Sequence, residues 1–286
     1  MTVADQVTGR VTHHGEGPVW DASLGRLHFV DMMAGDLLTL DPDGGPTVER
    51  LHVGEVAAVW RPRIGGGGIV GVQRGFALIE PDGTVATLPV VFTDPGIRMN
   101  EGGCDPQGRF YCGTMAYAET PGAGTLYRLD LDATVATVLS GVSISNGIVW
   151  SLDGSTVYYV DSASHEVVAY DFDADAGTFH GKRTVVRIEP ESASPDGMTI
   201  DAEGFLWVAL WAGGAVRRYS PSGELADVIE LPATQVSACA FGGPELDTLY
   251  ITTSRQGLAD GEQPAAGALF AAVPGVRGAP VLPFGG

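Results

Sequence analysis

The segment Asp196-Gly-Met-Thr-Ile-Asp201, followed by the run Phe205-Leu-Trp-Val-Ala-Leu210, decides the fold because its pattern returns along the chain. The first residue of each copy occupies the same place in the pattern, and this residue is polar in most copies. A strand, a tight turn and a second strand follow it. Repetition of a unit a few tens of residues long is typical of repeat architectures. The other copies, of which the second and the last are weaker, start at Glu16, Val56, Asn100, Asn146 and Ser237.

The spacing of the copies predicts a β-propeller. Two more short, β-rich runs complete a unit, as Asp36–Leu40 and residues 47–51 do in the first. A four-stranded propeller blade takes about 40–50 residues. We therefore predict an all-β, six-bladed β-propeller with four-stranded blades, a single domain over residues 1–286. The residues that open the turns are 40, 44, 46, 50 and 41 positions apart: Asp21, Arg61, Asp105, Ser151, Asp201 and Gly242.

The direction of the strands predicts which segments meet at each end of the ring. Because strands in a blade alternate in direction, the start of the first strand and the loop after the second share one face. Loops 31–34, 115–120, 161–165, 211–214 and 254–257 should therefore surround a site there. At the opposite face we expect only turn-forming aspartates: Asp21, Asp105, Asp153 and Asp201.

The two ends of the chain should meet in the last blade. Ring closure removes exposed strand edges, and we expect an N-terminal strand near residues 7–11 to pair around residues 268–272. The pair His13-His14 precedes the first inner strand and is expected to be a solvated entry segment.

Composition excludes several classes of partner. The formal net charge of −19 opposes binding to nucleic acid or to an anionic membrane surface. The chain has no apolar run of 18 residues, and its first residues resemble no secretory signal, so we expect a soluble, cytoplasmic protein. Three cysteines, too few and too irregularly spaced for a disulfide framework, fit a reducing compartment.

The recurring first position predicts a cation site. In a propeller these positions begin the innermost strands, so their side chains converge on the axis at one face. Carboxylates that converge in a buried place repel each other unless a cation joins them. Oxygen ligands favour Ca²⁺, Mg²⁺ or Mn²⁺ over Zn²⁺ or Fe²⁺. The alternative is that Asn146-Gly147 and Asp196-Gly197 are ordinary turn dipeptides.

Several segments together resemble the regucalcin/gluconolactonase family, which includes the senescence-marker and luciferin-regenerating proteins. The resemblance spans nearly the whole chain, and the order of the segments is more specific than any one of them. They are Gly15-Glu-Gly-Pro-Val-Trp20, Arg98-Met-Asn-Glu-Gly-Gly-Cys-Asp105, Gly113-Thr-Met115, Ser145-Asn-Gly147, Pro195-Asp-Gly-Met198 and Ala240-Phe-Gly-Gly243.

The resemblance implies a propeller with one divalent metal in its channel. By motif, the metal ligands would be Glu16, Asn146 and Asp196, and the substrate contacts Arg98 and Asn100. A substrate-binding glutamate of some members corresponds only loosely to Glu119, and Tyr117 is an alternative for that contact. The chain departs from the family pattern at Glu101, where an aspartate is usual, and at Cys104, where a lysine-like residue is usual.

The family typically hydrolyses lactones of sugar acids, so the resemblance implies a metal-dependent lactonase acting on aldonolactones such as gluconolactone. Asp196 is the candidate general base. The partner would be a small sugar lactone, and we expect a monomer or weak homo-oligomer. The alternatives are a non-catalytic, cation-binding regulatory propeller, a metal-dependent phosphotriesterase-like hydrolase and a protein-interaction propeller. Calcium is the expected cation, with Zn²⁺, Mg²⁺, Mn²⁺ and Fe²⁺ as alternatives.

Overall fold

A computed structural model describes residues 3–286 and confirms the six-bladed propeller of four-stranded blades. Each blade is an antiparallel sheet whose strands follow in chain order, except that the last blade takes its outer strand from the N-terminus. Within the described residues the only helices are three short 3-10 turns, Met32–Ala34, Pro42–Gly44 and Ser162–Ser164.

The strands of the first three blades follow one another without interruption. Blade one contains β2 (Gly15–Asp21), β3 (Arg26–Asp31), β4 (Asp36–Leu40) and β5 (Val48–His52). Blade two contains β6 (Ala57–Pro62), β7 (Gly68–Val72), β8 (Gly75–Ile79) and β9 (Val85–Thr87). Blade three contains β10 (Ile97–Cys104), β11 (Phe110–Ala116), β12 (Gly124–Leu129) and β13 (Val135–Val142).

The remaining blades complete the ring. Blade four contains β14 (Ser145–Trp150), β15 (Thr156–Asp161), β16 (Glu166–Asp173) and β17 (Thr178–Arg187). Blade five contains β18 (Ser194–Ile200), β19 (Leu206–Trp211), β20 (Ala215–Tyr219) and β21 (Leu225–Glu230). Blade six contains β22 (Val236–Gly242), β23 (Thr248–Thr253), β24 (Leu269–Ala272) and β1 (Asp5–Gln6).

The ring closes two residues earlier than the sequence predicts. Asp5 pairs with Ala271 and Gln6 with Phe270, and the Val7 amide still donates to the Leu269 carbonyl at 2.8 Å. The pairing then stops because the chain must turn inward to reach the first inner strand. The expected strand at residues 7–11 was therefore wrong in its bounds, although its partner segment was right.

The inner strands pack closely around the axis, and this explains the glycines that follow Asn146 and Asp196. A Cβ on Gly197 would lie 2.4 Å from the Ala238 Cβ of the next inner strand, and one on Gly147 would lie 2.8 Å from the Asp196 carbonyl. Asn146-Gly147 and Asp196-Gly197 lie inside strands β14 and β18, so the interpretation of these dipeptides as turns was wrong.

Gly197→Ala is expected to lower the free energy of unfolding by about 1–3 kcal/mol, because the methyl group would overpack two abutting strands. Gly9→Ala is the matched control, since a Cβ there has no atom within 4 Å. Chemical denaturation of both variants measures the difference, and equal stability would contradict the close packing of the inner strands.

Buried tryptophans fill the spaces between blades, as predicted. Trp20, Trp60, Trp150 and Trp207 are each no more than 5% exposed and belong to different apolar clusters. Among residues 3–286, no helix has the length and apolar character that a membrane crossing would require.

Candidate active site

Every blade carries a β-bulge where the recurring first position lies. The pairing of inner strand with second strand shifts by one residue between Glu16 and Val19, and the equivalent shift recurs in each of the other blades. A bulge inserts an extra residue and re-aims nearby side chains. The bulges therefore explain how one repeated position presents its side chain to the channel.

The predicted residues meet around a cavity of about 170 Å³ at one mouth of the channel. Loops after the second strands contribute to its wall in blades three to six, as predicted, whereas the predicted contribution of loop 31–34 in blade one was wrong, because none of its residues lines the cavity. Its lining includes all three candidate metal ligands and both principal substrate-contact candidates: Glu16, Asn146, Asp196, Arg98 and Asn100, with Met115, Glu119, Ser162, Trp211 and Gln256 around them.

Two buried carboxylates dominate the electrostatics of this cavity. Glu16 is 2% exposed and Asp196 is 5% exposed. Burial raises the pKa of each carboxyl well above its ordinary value, and the charge of Asp196 raises the pKa of Glu16 further. The Asp196 Oδ1 atom is buried without a hydrogen-bond partner. An unpaired, buried carboxylate oxygen is costly, and a bound cation would remove that cost.

The candidate ligands offer only oxygen atoms to a cation, and one of these oxygens belongs to an amide rather than to a carboxylate. Residues 3–286 contain no group of three or more His, Cys, Asp or Glu side chains that could hold a metal ion. A cation at this mouth would therefore need the amide oxygen of Asn146 in addition to Glu16 and Asp196. Carboxylate and amide oxygens are ligands that Ca²⁺ accepts.

A hydrogen-bond chain fixes the two asparagines. Asn146 Nδ2 donates to Ser162 Oγ at 2.8 Å, and Ser162 Oγ donates to the Pro195 carbonyl at 2.6 Å. Asn100 Nδ2 donates to the Ser145 carbonyl at 2.8 Å and to Asn146 Oδ1 at 3.2 Å. Because both amide nitrogens are occupied by protein acceptors, the amide orientations are set before any ligand arrives.

Arg98 supplies the positive charge of the cavity. It is 4% exposed, and its guanidinium donates to Asn100 Oδ1 and to the Met99 carbonyl. Burial lowers the pKa of Arg98, whereas Tyr117, Glu16 and Asp196 act to raise it. The Arg98 charge in turn opposes the rise in the pKa of Glu16 and Asp196. The arginine is therefore an electrostatic partner of the two carboxylates.

Glu119 and Tyr117 both lie in the loop after β11, but their side chains occupy different positions. Glu119 lines the cavity from an exposed position with a left-handed backbone, φ 52°. Tyr117 is 43% exposed and is not among the lining residues, but its ring lies 5.8 Å from the Arg98 guanidinium carbon. Of the two candidates for one contact, Glu119 faces the cavity and Tyr117 covers the arginine.

The expectation for the histidine pair was wrong for His14. His13 is exposed, but His14 is 6% exposed and lines the cavity. Burial, reinforced by the charge of Arg98, lowers the pKa of His14 to about 3, so the ring is neutral. Strand alternation offered a signal, because residues two apart share a face and His14 stands two residues before Glu16.

The sequence reasoning also treated Glu101 only as a departure from a motif. Glu101 is 4% exposed, and its Oε2 atom is buried without a partner. Its Oε1 atom accepts from the Gly102 amide at 3.0 Å and lies 3.4 Å from an Arg61 nitrogen. The charge of Glu101 raises the pKa of both Glu16 and Asp196, so the three carboxyls interact with one another.

The opposite face holds turn-forming aspartates, as predicted. Asp105 Oδ1 accepts from the amides of Gln107 and Arg109, each at 2.9 Å. Asp201 Oδ1 accepts from the amides of Glu203 and Phe205, each at 2.9 Å. These carboxylates stabilise the turns between first and second strands.

The raised pKa values predict how pH changes the stability of the metal-free protein. A carboxyl that binds its proton more tightly when folded stabilises the fold below its unfolded pKa, and that contribution is lost as pH rises through the folded pKa. Glu16 and Asp196 should therefore make the chelator-treated protein less stable as pH rises above about 5.

The matched comparison for this prediction is Glu16→Gln, measured by thermal or chemical unfolding of chelator-treated protein at several pH values. The variant should gain stability relative to the wild type as pH rises, because it lacks one of the groups that must lose a proton. A wild-type-minus-variant difference that does not change with pH would contradict the raised pKa of Glu16.

Comparison with known proteins places the chain in a family. A family model described as SMP-30/Gluconolactonase/LRE-like region matches residues 14–255. Regucalcin of Bos taurus is 36% identical over 286 residues, covering 96% of this chain and 95% of the relative.

Solved structures agree over the whole length. A luciferin-regenerating enzyme superposes with a TM-score of 0.93 at 30% identity, with 100% of both chains covered. A calcium-binding protein, regucalcin, from Agrobacterium tumefaciens superposes with a TM-score of 0.91 at 28% identity and 99% coverage of each chain. With its propeller, its bulged inner strands and these matches, the chain belongs to the SMP-30/gluconolactonase/LRE-like family.

Proposed function

We propose that this protein is a divalent-metal-dependent lactonase that opens lactones of sugar acids. The observation that carries the proposal is one cavity lined by two buried carboxylates, two fixed amides and a buried arginine. The family description, which includes gluconolactonase, supports the reaction class. The description of the Agrobacterium tumefaciens relative as a calcium-binding protein supports the cation.

Glu16, Asn146 and Asp196 would hold the cation through their side-chain oxygens. When bound, a divalent cation supplies Lewis-acid polarisation of a carbonyl group. A cation held there would give the buried Asp196 Oδ1 a partner and would offset the repulsion between two carboxyls whose pKa values are raised. Calcium is the expected ion because all three donors are oxygens.

The other residues bind and orient the substrate. Arg98 donates hydrogen bonds to the ring oxygen and hydroxyls of the lactone, Asn100 accepts one from a hydroxyl through Oδ1, and Glu119 contacts the lactone from the rim. A cavity of about 170 Å³ suits one monosaccharide-sized ring. Trp211 and Met115 pack against the less polar face of that ring.

Asp196 also moves the proton of the reaction. Its carboxylate accepts a proton from the attacking water while the water oxygen forms a bond to the carbonyl carbon. The ring carbon–oxygen bond then breaks, the proton passes to the leaving ring oxygen, and the product is a hydroxy acid. A carboxylate positioned within hydrogen-bond reach of the attacking water can act as its general base.

A pH-indicator assay of lactone opening tests the proposal. Chelator-treated protein is given five- and six-membered aldonolactones, with Ca²⁺, Mg²⁺, Mn²⁺, Zn²⁺ or Fe²⁺ added back singly. Acid release that requires an ion is the expected result. Tight ion binding without acid release on any lactone would refute it and favour a cation-binding regulatory role.

A further inference from the structure

We infer that His14 is a specificity-determining residue whose ring Nε2–H donates a hydrogen bond to a hydroxyl group of the substrate. This inference deepens the proposed function and rests on it for the class of substrate. It concerns a residue outside the candidate ligands and contacts considered above.

The position of the His14 ring is fixed by its surroundings. Its Nδ1 atom lies 2.8 Å from Ser254 Oγ, and its backbone forms an antiparallel bridge with Ser254. The Trp211 ring meets the imidazole edge-on, with centroids 5.7 Å apart and an interplanar angle of 80°. The amides of His13 and His14 both donate to Asp31, which anchors the backbone at the end of β3.

This arrangement leaves the second ring nitrogen facing the cavity. His14 Nε2 lies 4.0 Å from Glu16 Oε1, too far for a direct hydrogen bond. Ser254 Oγ accepts from the Gln256 amide at 3.0 Å and can donate its hydrogen to His14 Nδ1 at 2.8 Å, because its other acceptor, the His13 carbonyl, is farther away at 3.5 Å. The ring then carries its hydrogen on Nε2, the tautomer that a neighbouring carboxylate favours.

A donor and an acceptor 4.0 Å apart match a hydroxyl group. A hydroxyl can accept from His14 Nε2–H and donate to Glu16 Oε1 at the same time, because it has both functions. An unsubstituted lactone would leave the His14 Nε2–H donor without an acceptor. Sites built to bond a hydroxyl discriminate against analogues that lack it. His14 should therefore bias the cavity toward polyhydroxylated substrates.

The test measures binding as well as turnover. Calorimetry with calcium-loaded protein compares gluconate, the open-chain polyhydroxylated acid, with hexanoate, which has the same carbon count and no hydroxyl. His14→Phe keeps a ring beside Trp211 but removes the donor, His14→Gln keeps an N–H donor, and His13→Gln is the control at the exposed neighbour. Calcium affinity is measured separately for each variant.

The expected result is a loss of gluconate affinity of about 10-fold or more in His14→Phe, partial recovery in His14→Gln, and unchanged calcium affinity. Equal weakening toward both acids, weaker calcium binding, or no effect would each overturn the assignment. A wild type that binds neither acid would also overturn it.

The proposed function can fail separately. If no lactone is opened but gluconate binding still depends on His14, the lactonase proposal falls and the role of His14 in hydroxyl recognition stands. If lactones are opened and His14→Phe retains the wild-type preference for hydroxylated over unsubstituted rings, the inference falls and the lactonase proposal stands.

Discussion

Asp196→Asn is expected to lower kcat for a sugar lactone by at least about 1,000-fold and, in the same protein, to stabilise the metal-free fold. The substitution removes the proposed general base and one charged ligand of the cation. It also removes one of the mutually repelling, buried carboxylates, Glu16, Glu101 and Asp196. A nearly isosteric amide in that place should raise the free energy of unfolding of chelator-treated protein by about 1–3 kcal/mol.

The matched control is Asp201→Asn, in the same blade but at the opposite face. Asp201 is fully buried, and its Oδ2 atom accepts from Trp207 Nε1 at 3.0 Å and from Arg218 Nε at 2.8 Å. Weakening this buried ion pair should cost about 3 kcal/mol and leave cation affinity intact. Turnover, cation affinity and denaturation are measured for both variants. Full turnover in Asp196→Asn, or destabilisation equal to that of Asp201→Asn, would refute the assignment of Asp196.

The fold could be predicted from the sequence because each blade repeats a similar local sequence pattern. An inner strand, a turn and a second strand return six times, with a polar residue at the first position in five copies and a glycine after it in three, so the stronger copies identify the weaker ones. Ring closure lacks that redundancy because it occurs once. Nothing in residues 7–11 distinguishes a strand from the turn that follows β1, and the bounds there depend on where β24 offers its edge.

The candidate site residues that occupy the repeated position of a blade could be predicted from the sequence, whereas those outside the repeat were harder to predict. Glu16, Asn146 and Asp196 occupy one phase of the blade, and the structure brings them to one cavity. His14 lies outside the repeat, and its burial arises from contacts with Ser254 and Trp211 across the ring closure. Such contacts join residues that are far apart in sequence, so the local alternation of the strand indicates which face His14 shares but not the partners that bury it.

The loop after β11 shows a second limit. Glu119 and Tyr117 are two residues apart, and the sequence left open which one contacts the substrate. The left-handed backbone at Glu119 turns the chain so that the carboxylate faces the cavity while the Tyr117 ring lies over Arg98. A backbone conformation that is uncommon for a non-glycine residue is set by tertiary packing rather than by local preference.

Arg98→Met is expected to lower kcat/KM for a sugar lactone by about 100- to 1,000-fold, the size of effect seen when a positioned donor is removed from an active site. Methionine keeps much of the buried stem but has no charge and no N–H. Arg98→Lys, which keeps the charge and loses the planar fork, should recover only part of the activity. Steady-state kinetics with the preferred ion measures both variants.

The same substitution should affect stability and cation affinity in opposite directions. Arg98 is the positive charge that partly compensates Glu16 and Asp196, so metal-free Arg98→Met should be less stable than the wild type. Because that charge also repels a cation held by the same carboxylates, the variant should bind calcium at least as tightly. Loss of calcium affinity in Arg98→Met would make the arginine a structural support of the ligands instead of a substrate contact. Asp196→Asn, by contrast, stabilises the metal-free protein and loses the ion, so the two variants together separate the charge that holds the cation from the charge that opposes it.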